Sequence, residues 1–586
     1  MKKITSLLLA LAILTGSMLA LTSCGKPKND GAEISVYLGE RVYDFDPTDY
    51  YVDSNAEQVM SLLFDPLFTI KENGKLKCSA ADDYDVDKKE NTITIELRET
   101  YWSDRVRVKA EDYIYAWRNV LLDPNNANPA ASLLYDIENA VEVKNGNKTV
   151  YELGAVASDT YEITITYRDG ADYKQLLKNL ASVATSPIRQ DIATAITSGY
   201  WSKIVNTAVT NGPFMIKSVD EEENSFVLAR NEGYHQKLDI KNPTKIVRPS
   251  QLVSFLTAGE GDKALTYSDI EDKTVFYMSD ASLADRAENK KKAIVADDLS
   301  TYTYVFNVDN PLFAKKEVRQ ALSLAIDRNA IIDAITFGKA ATGFLPDTVL
   351  DTRTGKSFNK KVDDLISASA NVAKANELLS GVDFTGLDKN FTLTVNGDEE
   401  SLAIANIVKT AWESLNAGFK VTVKTAGVIS TQLNSESVKA PIKDSELQVL
   451  VNNAARGDRD FDVIAVDWQM YSTDPFVALS AFSDKFSGCG VELPAKTKFY
   501  ASFGGYNDET YNALIQSAYD ETDKKERSEI LHEAEKYLVD SAAVIPLVFN
   551  QSFAFMHKDI SKVDFDGLGN VVLTDMKQRK YEQYLD

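Results

Sequence analysis

The chain has 586 residues, too many for one hydrophobic core, so two or more lobes are expected. Hydrophobic residues make up 44% and charged residues 26%, ordinary values for a folded soluble protein. Acidic residues number 87 against 64 basic ones, a formal charge of −23, which argues against a nucleic-acid surface and against electrostatic docking on anionic lipid.

At the N-terminus Lys2 and Lys3 form a basic start, and residues 4–23 are uncharged and rich in Leu and Ala. That run is long enough for a transmembrane helix. Leu21-Thr22-Ser23-Cys24 tips the choice, because it resembles the lipobox of bacterial lipoproteins. The resemblance implies a signal peptide over 1–23, a mature chain starting at a diacylglycerol-bearing Cys24, and a polar tether over 24–32. No second long apolar run follows. With Cys24 acylated, only Cys78 and Cys489 remain, and a core this large needs no stapling, so two separate thiols are expected.

Residues 34–38 read as a first strand, followed by a polar loop with Asp46-Pro47, and 55–63 have helical periodicity. TITIEL at 92–97 alternates strictly, as a half-buried strand does. Lys109-Ala110-Glu111-Asp112 puts acids in the first turn of a helix, where its dipole favours them. Residues 161–167 form another alternating strand, and Asn211-Gly212-Pro213 is a strong turn. TYTYVF at 301–306 predicts a strand stopped by Asn310-Pro311, and Val318, Ala321, Leu322, Ala325 and Ile326 then recur at helical spacing. Beyond it, 391–395, 403–415 and 419–423 read β-α-β. Residues 436–460 look like a polar, irregular insertion, 461–468 like a buried strand, 522–538 like a helix and 543–549 like a last strand.

Several of these strings, in this order, resemble the peptide-type solute-binding proteins, the oligopeptide- and dipeptide-binding receptors of ATP-driven importers. The carriers are Asp46-Pro47, Leu62 to Phe68 (with Asp65-Pro66 in place of the usual Glu-Gly), Trp102-Ser103-Asp104, Asn211-Gly212, Gly233-Tyr234-His235, Gly259 to Asp262, the 301–328 stretch and Gly343 to Pro346. The resemblance implies an α/β fold: two lobes like those of periplasmic binding proteins, with an accessory subdomain on the first and two hinge crossings. The implied boundaries are 33–72 for lobe I, 73–185 for the subdomain, 186–300 for lobe I continued, 301–542 for lobe II and 543–586 for the return, with crossings near 300–302 and 542–544.

Catalysis has little to stand on. The three histidines, His235, His532 and His557, neighbour no nucleophile and no second histidine, and Gly504-Gly505 lacks the Lys-Ser/Thr of a phosphate loop. No enzyme activity, cofactor or metal is expected. The resemblance implies instead a monomeric receptor, held outside the cell membrane only by its lipid, that closes on an oligopeptide and delivers it to ABC permease subunits. Its contact positions map to Tyr51, Val52, Asp53, Leu265, Thr266, Tyr302, Tyr304, Trp468, Tyr471 and Asp474. One departure stands out: the peptide-binding relatives carry, three residues after the Trp, an Asp that pairs with the ligand's ammonium, and here that residue is Tyr471. Asp467 or Asp474 could substitute, although Asp467 and Trp468 must face opposite sides of a regular strand. Other readings are a non-peptide solute on the same fold, or a surface sensor or adhesin.

Overall fold

Two strands of 13 residues each, Ile294–Phe306 and Val544–Met556, run antiparallel along each other, and both lobes hang from them. The computed structural model describes residues 32–50, 54–71, 74–195, 201–203, 208–236, 246–257, 259, 264–360, 362–432, 441–489 and 503–584. Both strands are rich in β-branched and aromatic residues, which suit a sheet covered on both faces. From the far half of Val544–Met556 the sheet continues through Tyr277–Met278, Ala32–Tyr37, Pro249–Phe255, Ser225–Arg230 and Phe214–Asp220. From Ile294–Phe306 it continues the other way through Val463–Gln469, Asn390–Val395 and Lys420–Thr425, and with the short strand Lys339–Ala340 paired beside Val544–Met556 this gives an 11-stranded sheet shared by the two lobes.

The pairing of the long strands is broken twice. Asp297 pairs with Gln551 and Thr301 with Phe549, with a register shift between; a second shift separates the Tyr302–Val548 and Thr303–Pro546 pairs. Pro546 has no N–H for the ladder, and buried Arg328 donates from Nε to its carbonyl at 2.8 Å. The first break is where the sheet changes lobes. It lies opposite 549–551, and Ile545, Leu547 and Val548 ahead of it pack in the second-lobe core.

That core forms around the β-α-β unit Asn390–Val395, Glu399–Glu413, Lys420–Thr425. Trp412 sits at its centre, fully buried, its ring 6.0 Å from Tyr304 and 5.8 Å from Phe391, donating from Nε1 to the Leu322 carbonyl at 2.9 Å. The accessory sheet runs Ala81–Asp87, Thr92–Leu97, Glu162–Thr166, Ala155–Asp159, and the alternation of its second strand buries Ile93 and Ile95. Three of the family-like strings meet in one brace: the Asn211 amide donates to the Asp65 carbonyl at 2.9 Å, His235 Nε2 lies 3.1 Å from the Asp65 carboxylate, and the Gly212 amide donates to the Leu63 carbonyl at 2.8 Å. A Cβ on Gly212 would stand 2.5 Å from the Leu63 backbone, which explains the glycine.

One expectation changes. Part of 436–460 is the helix Glu446–Ala455, capped by Ser445, which buries Leu447, Val451 and Ala454 at i, i+4 and i+7; polar residues between them mask that period. Within 301–542, Leu447, Phe476 and Leu538 share the larger core cluster with first-lobe residues, with Tyr519 donating to the Tyr135 carbonyl at 3.1 Å and Asn128 N to Gly488 O at 2.7 Å. Cys78 and Cys489 are free thiols. Among the described residues, no helix is long and apolar enough to cross a membrane.

Trp412→Ala opens a cavity in the second-lobe core and orphans the Leu322 carbonyl, so urea unfolding should show a loss of about 3–5 kcal/mol. A loss below about 1 kcal/mol would show that this core closes without the indole.

Candidate functional site

Between the lobes lies a cleft of about 640 Å³, floored by the long strands where their pairing breaks. Hydrogen bonds of the ladder lapse there, and side chains take over. The Asn550 amide donates to Ser300 Oγ and to Asp467 Oδ1, both at 2.8 Å, and Ser552 Oγ donates to Asp298 Oδ2 at 2.9 Å. Asp298, Ser300 and Tyr302 alternate along one strand, and Tyr302 stands opposite Asp467 on the next. Tyr302 is 6% exposed; its hydroxyl lies beside Ser401, Asp398 and Asp467 but forms no hydrogen bond of good geometry with them.

The first-lobe wall comes from the helix Ser54–Leu63, which brings in Glu57 and Gln58. Glu57 is 2% exposed and accepts from the Asn570 amide at 3.2 Å, and the same amide lies 3.4 Å from Asp566. Burial first, then the neighbouring Asp298 charge, hold the Glu57 carboxyl well above the usual range, and burial also pushes Asp298 up and Asp566 up to about 6. The second-lobe wall is the start of the helix Glu399–Glu413, capped by Asp398, which accepts from Ser401 N at 2.8 Å. Arg286 joins the walls: it pairs with Asp280 of its own lobe at 2.7 Å and with Glu400 across the cleft. Burial raises both carboxyls against the pull of that guanidinium.

A second set of contacts shuts the rim. Glu221 of the first lobe pairs with Lys443 of the second at 2.6 Å, and Lys203 bridges Asp44 and Asp444. Asp49 accepts from Gln448 Nε2 and Asn452 Nδ2, both at 2.9 Å. Burial, then the charges of Asp44 and Asp46, push Asp49 up to about 7.

Of the positions carried over from the family pattern, Tyr302 lines this cleft, and so does the alternative carboxylate Asp467. Tyr51, Val52, Asp53 and Cys24 lie outside the described residues. The others stand behind the walls. Leu265 packs against the small cluster around Tyr37 and Phe555, and Thr266 caps the helix Tyr267–Glu271 through Asp269. Tyr304 lies fully buried beside Trp412. Trp468 points away from Asp467 and stacks on Phe482 at 4.8 Å and Phe503 at 5.3 Å, as strand alternation demands. Tyr471, at φ +57, sets its ring 4.9 Å from that of Tyr50. Asp474 is the N-cap of the helix Pro475–Ser480 and sits 3.5 Å from Arg527, with 2% of its surface exposed. Sequence reading passed over Glu57, Asp298, Asp398, Glu400 and Asn550. A charged Asp297-Asp298 pair just ahead of the aromatic run was the available signal.

The sequence matches bacterial extracellular solute-binding proteins, family 5 (middle), over residues 75–488. A dipeptide-binding protein of Lactococcus lactis subsp. cremoris is 23% identical over 577 residues, 94% of this chain and 95% of that protein. The structure of Listeria monocytogenes OppA bound to peptide superposes with a TM-score of 0.74 at 19% identity, covering 93% of this chain and 98% of that one. Against the unliganded open form of the periplasmic murein tripeptide-binding protein MppA the TM-score is 0.53, at 20% identity and 94% and 98% coverage. In this structure ion pairs across the cleft and at its rim hold the two walls together.

Because Asp49 binds its proton more tightly in the closed form than a free carboxyl would, closure is favoured at low pH and opposed as pH rises towards 7. Lowering the pH from about 7.5 to about 5 should therefore shrink the ligand-free protein in small-angle scattering, and Asp49→Asn should reduce the change. An unaltered pH response in Asp49→Asn would remove Asp49 from the account.

Proposed function

Since the chain belongs to the bacterial extracellular solute-binding proteins of family 5, the receptors of peptide ABC importers, we propose that it is a lipid-anchored receptor that closes its two lobes on an oligopeptide and delivers it to the permease. The observation that carries the reading is the polar floor at the break between the long strands: Asp298, Ser300, Tyr302, Asp467 and Asn550 meet where both lobes can reach one ligand. Hinge bending at 297–301 and 549–551 opens and shuts this cleft, and the ligand stabilises the closed form by touching both walls. A non-peptide solute would use the same closure, but the curated relatives named as dipeptide- and oligopeptide-binding proteins favour peptide.

In this reading Asp467 accepts the ligand's ammonium in place of the residue at the Tyr471 position. The side chain of Tyr471 is directed to Tyr50 and Thr48 instead. Asp467→Asn should weaken a free-amine peptide by about 3 kcal/mol, roughly a hundredfold, and its N-acetylated form far less, by calorimetric titration. Equal losses for the two ligands would show that the ammonium sits elsewhere. A peptide pool that gives no thermal shift at all would remove the peptide assignment.

Anchoring rests on Cys24 and the leader ahead of it. Cys24→Ala should abolish incorporation of labelled lipid and release the protein to the medium or leave it unprocessed. Unchanged labelling would place the anchor elsewhere.

A further inference from the structure

The described residues that line the cleft include ten carboxylates against two guanidinium groups. Chain-wide acidity does not account for this, since the whole sequence holds 87 acidic residues against 64 basic ones. Part of the excess is answered within the protein. Asp280 and Glu400 share Arg286, while Asp44 and Asp444 share Lys203.

The carboxylates on the floor and the first-lobe wall are not answered in this way. Glu57 is held by the Asn570 amide, and Asp298 by Ser552 Oγ and the Leu299 N–H; these hydrogen-bond partners are neutral. Asp566 stands behind them on the same Asn570 amide, adding a third negative group. Carboxyls buried together without a cation resist ionising, and a cation brought among them favours their charged form and is bound in a poorly screened site. A second observation is independent of this charge: the Tyr302 hydroxyl, on a side chain 6% exposed, has no hydrogen-bond partner on the same floor. Buried hydroxyls are normally satisfied, so this one marks a place where a polar ligand group completes the site.

We propose that the cleft selects peptides carrying a basic side chain, whose ammonium or guanidinium seats against Glu57 and Asp298 with the Tyr302 hydroxyl completing the ligand's polar contacts. The inference rests on the peptide reading above and adds a second positive charge to the ligand, besides the ammonium at Asp467. Uncharged and acidic peptides fit the same volume but leave these carboxylates unanswered.

Calorimetric titration of the full mature chain with trilysine, trialanine and triglutamate at physiological salt tests this. Trilysine should bind about tenfold or more tighter than trialanine, with triglutamate weakest. Glu57→Gln and Asp298→Asn keep shape and relieve repulsion, so both should fold, and each should shrink the ratio of trilysine to trialanine affinity. Asp85→Asn, on the exposed accessory strand, should leave the advantage intact and so separate the cleft from the general charge of the surface. Equal affinity for trilysine and trialanine would overturn the inference while leaving the peptide reading in place. Failure of all three peptides would overturn the peptide reading, and spermine, a polycation without a peptide bond, then decides: binding weakened by Glu57→Gln and Asp298→Asn supports the cationic site, and no binding overturns it.

Discussion

The antiparallel pairing of Ile294–Phe306 with Val544–Met556 is the constraint on which the rest depends. A ladder of this length ties both lobes to one sheet, so neither lobe can drift from the other except by bending where the ladder lapses. The lapse between Asp297 and Thr301 is therefore both the weakest part of the connection and the place where polar side chains are free to face a ligand. A β-bulge re-aims side chains, and here the register shift falls at the floor of the cleft. The second lapse, at Pro546, is closed from inside the second lobe by the buried Arg328 guanidinium, which satisfies the proline carbonyl.

Closing the lobes removes many carboxylates from water at once, which is costly unless partners are supplied. The rim supplies them from the protein itself, through Lys203, Lys443, Gln448 and Asn452. Arg286 does so at one wall. At the floor the partners of Glu57 and Asp298 are neutral, and the balance is left to whatever enters. This division gives a closed state whose edges are self-sufficient and whose centre is completed by a cationic ligand.

Motif strings and site residues separate in this protein. Asp65, Asn211, Gly212 and His235 carry much of the resemblance in the first half, and they form a brace inside the first lobe. Trp468 is equally recognisable and equally structural, one member of an aromatic stack with Phe344, Phe482 and Phe503. Recognisable residues hold the shape, and the residues that colour the cleft, such as Glu57 and Asn550, sit in strings with no distinguishing pattern.

Local periodicity determined the elements. TITIEL could only be a half-buried strand, 301–306 and 316–324 a strand and then a helix, and 390–425 a β-α-β unit, because these patterns concern neighbours two to four residues apart. The order of motif strings then determined the two-lobed class. The alternation rule also foretold that Asp467 and Trp468 would part company. Tertiary structure alone decided which of the two faced the cleft, since that depends on which side of the sheet the second lobe packs. It also decided that Asp474 caps a helix beside Arg527, a residue 53 positions later in sequence. Most of all, it decided the charge of the site: Glu57, Asp298, Asp398 and Asp467 come from four separate segments, and their field exists only where folding through space brings those segments together.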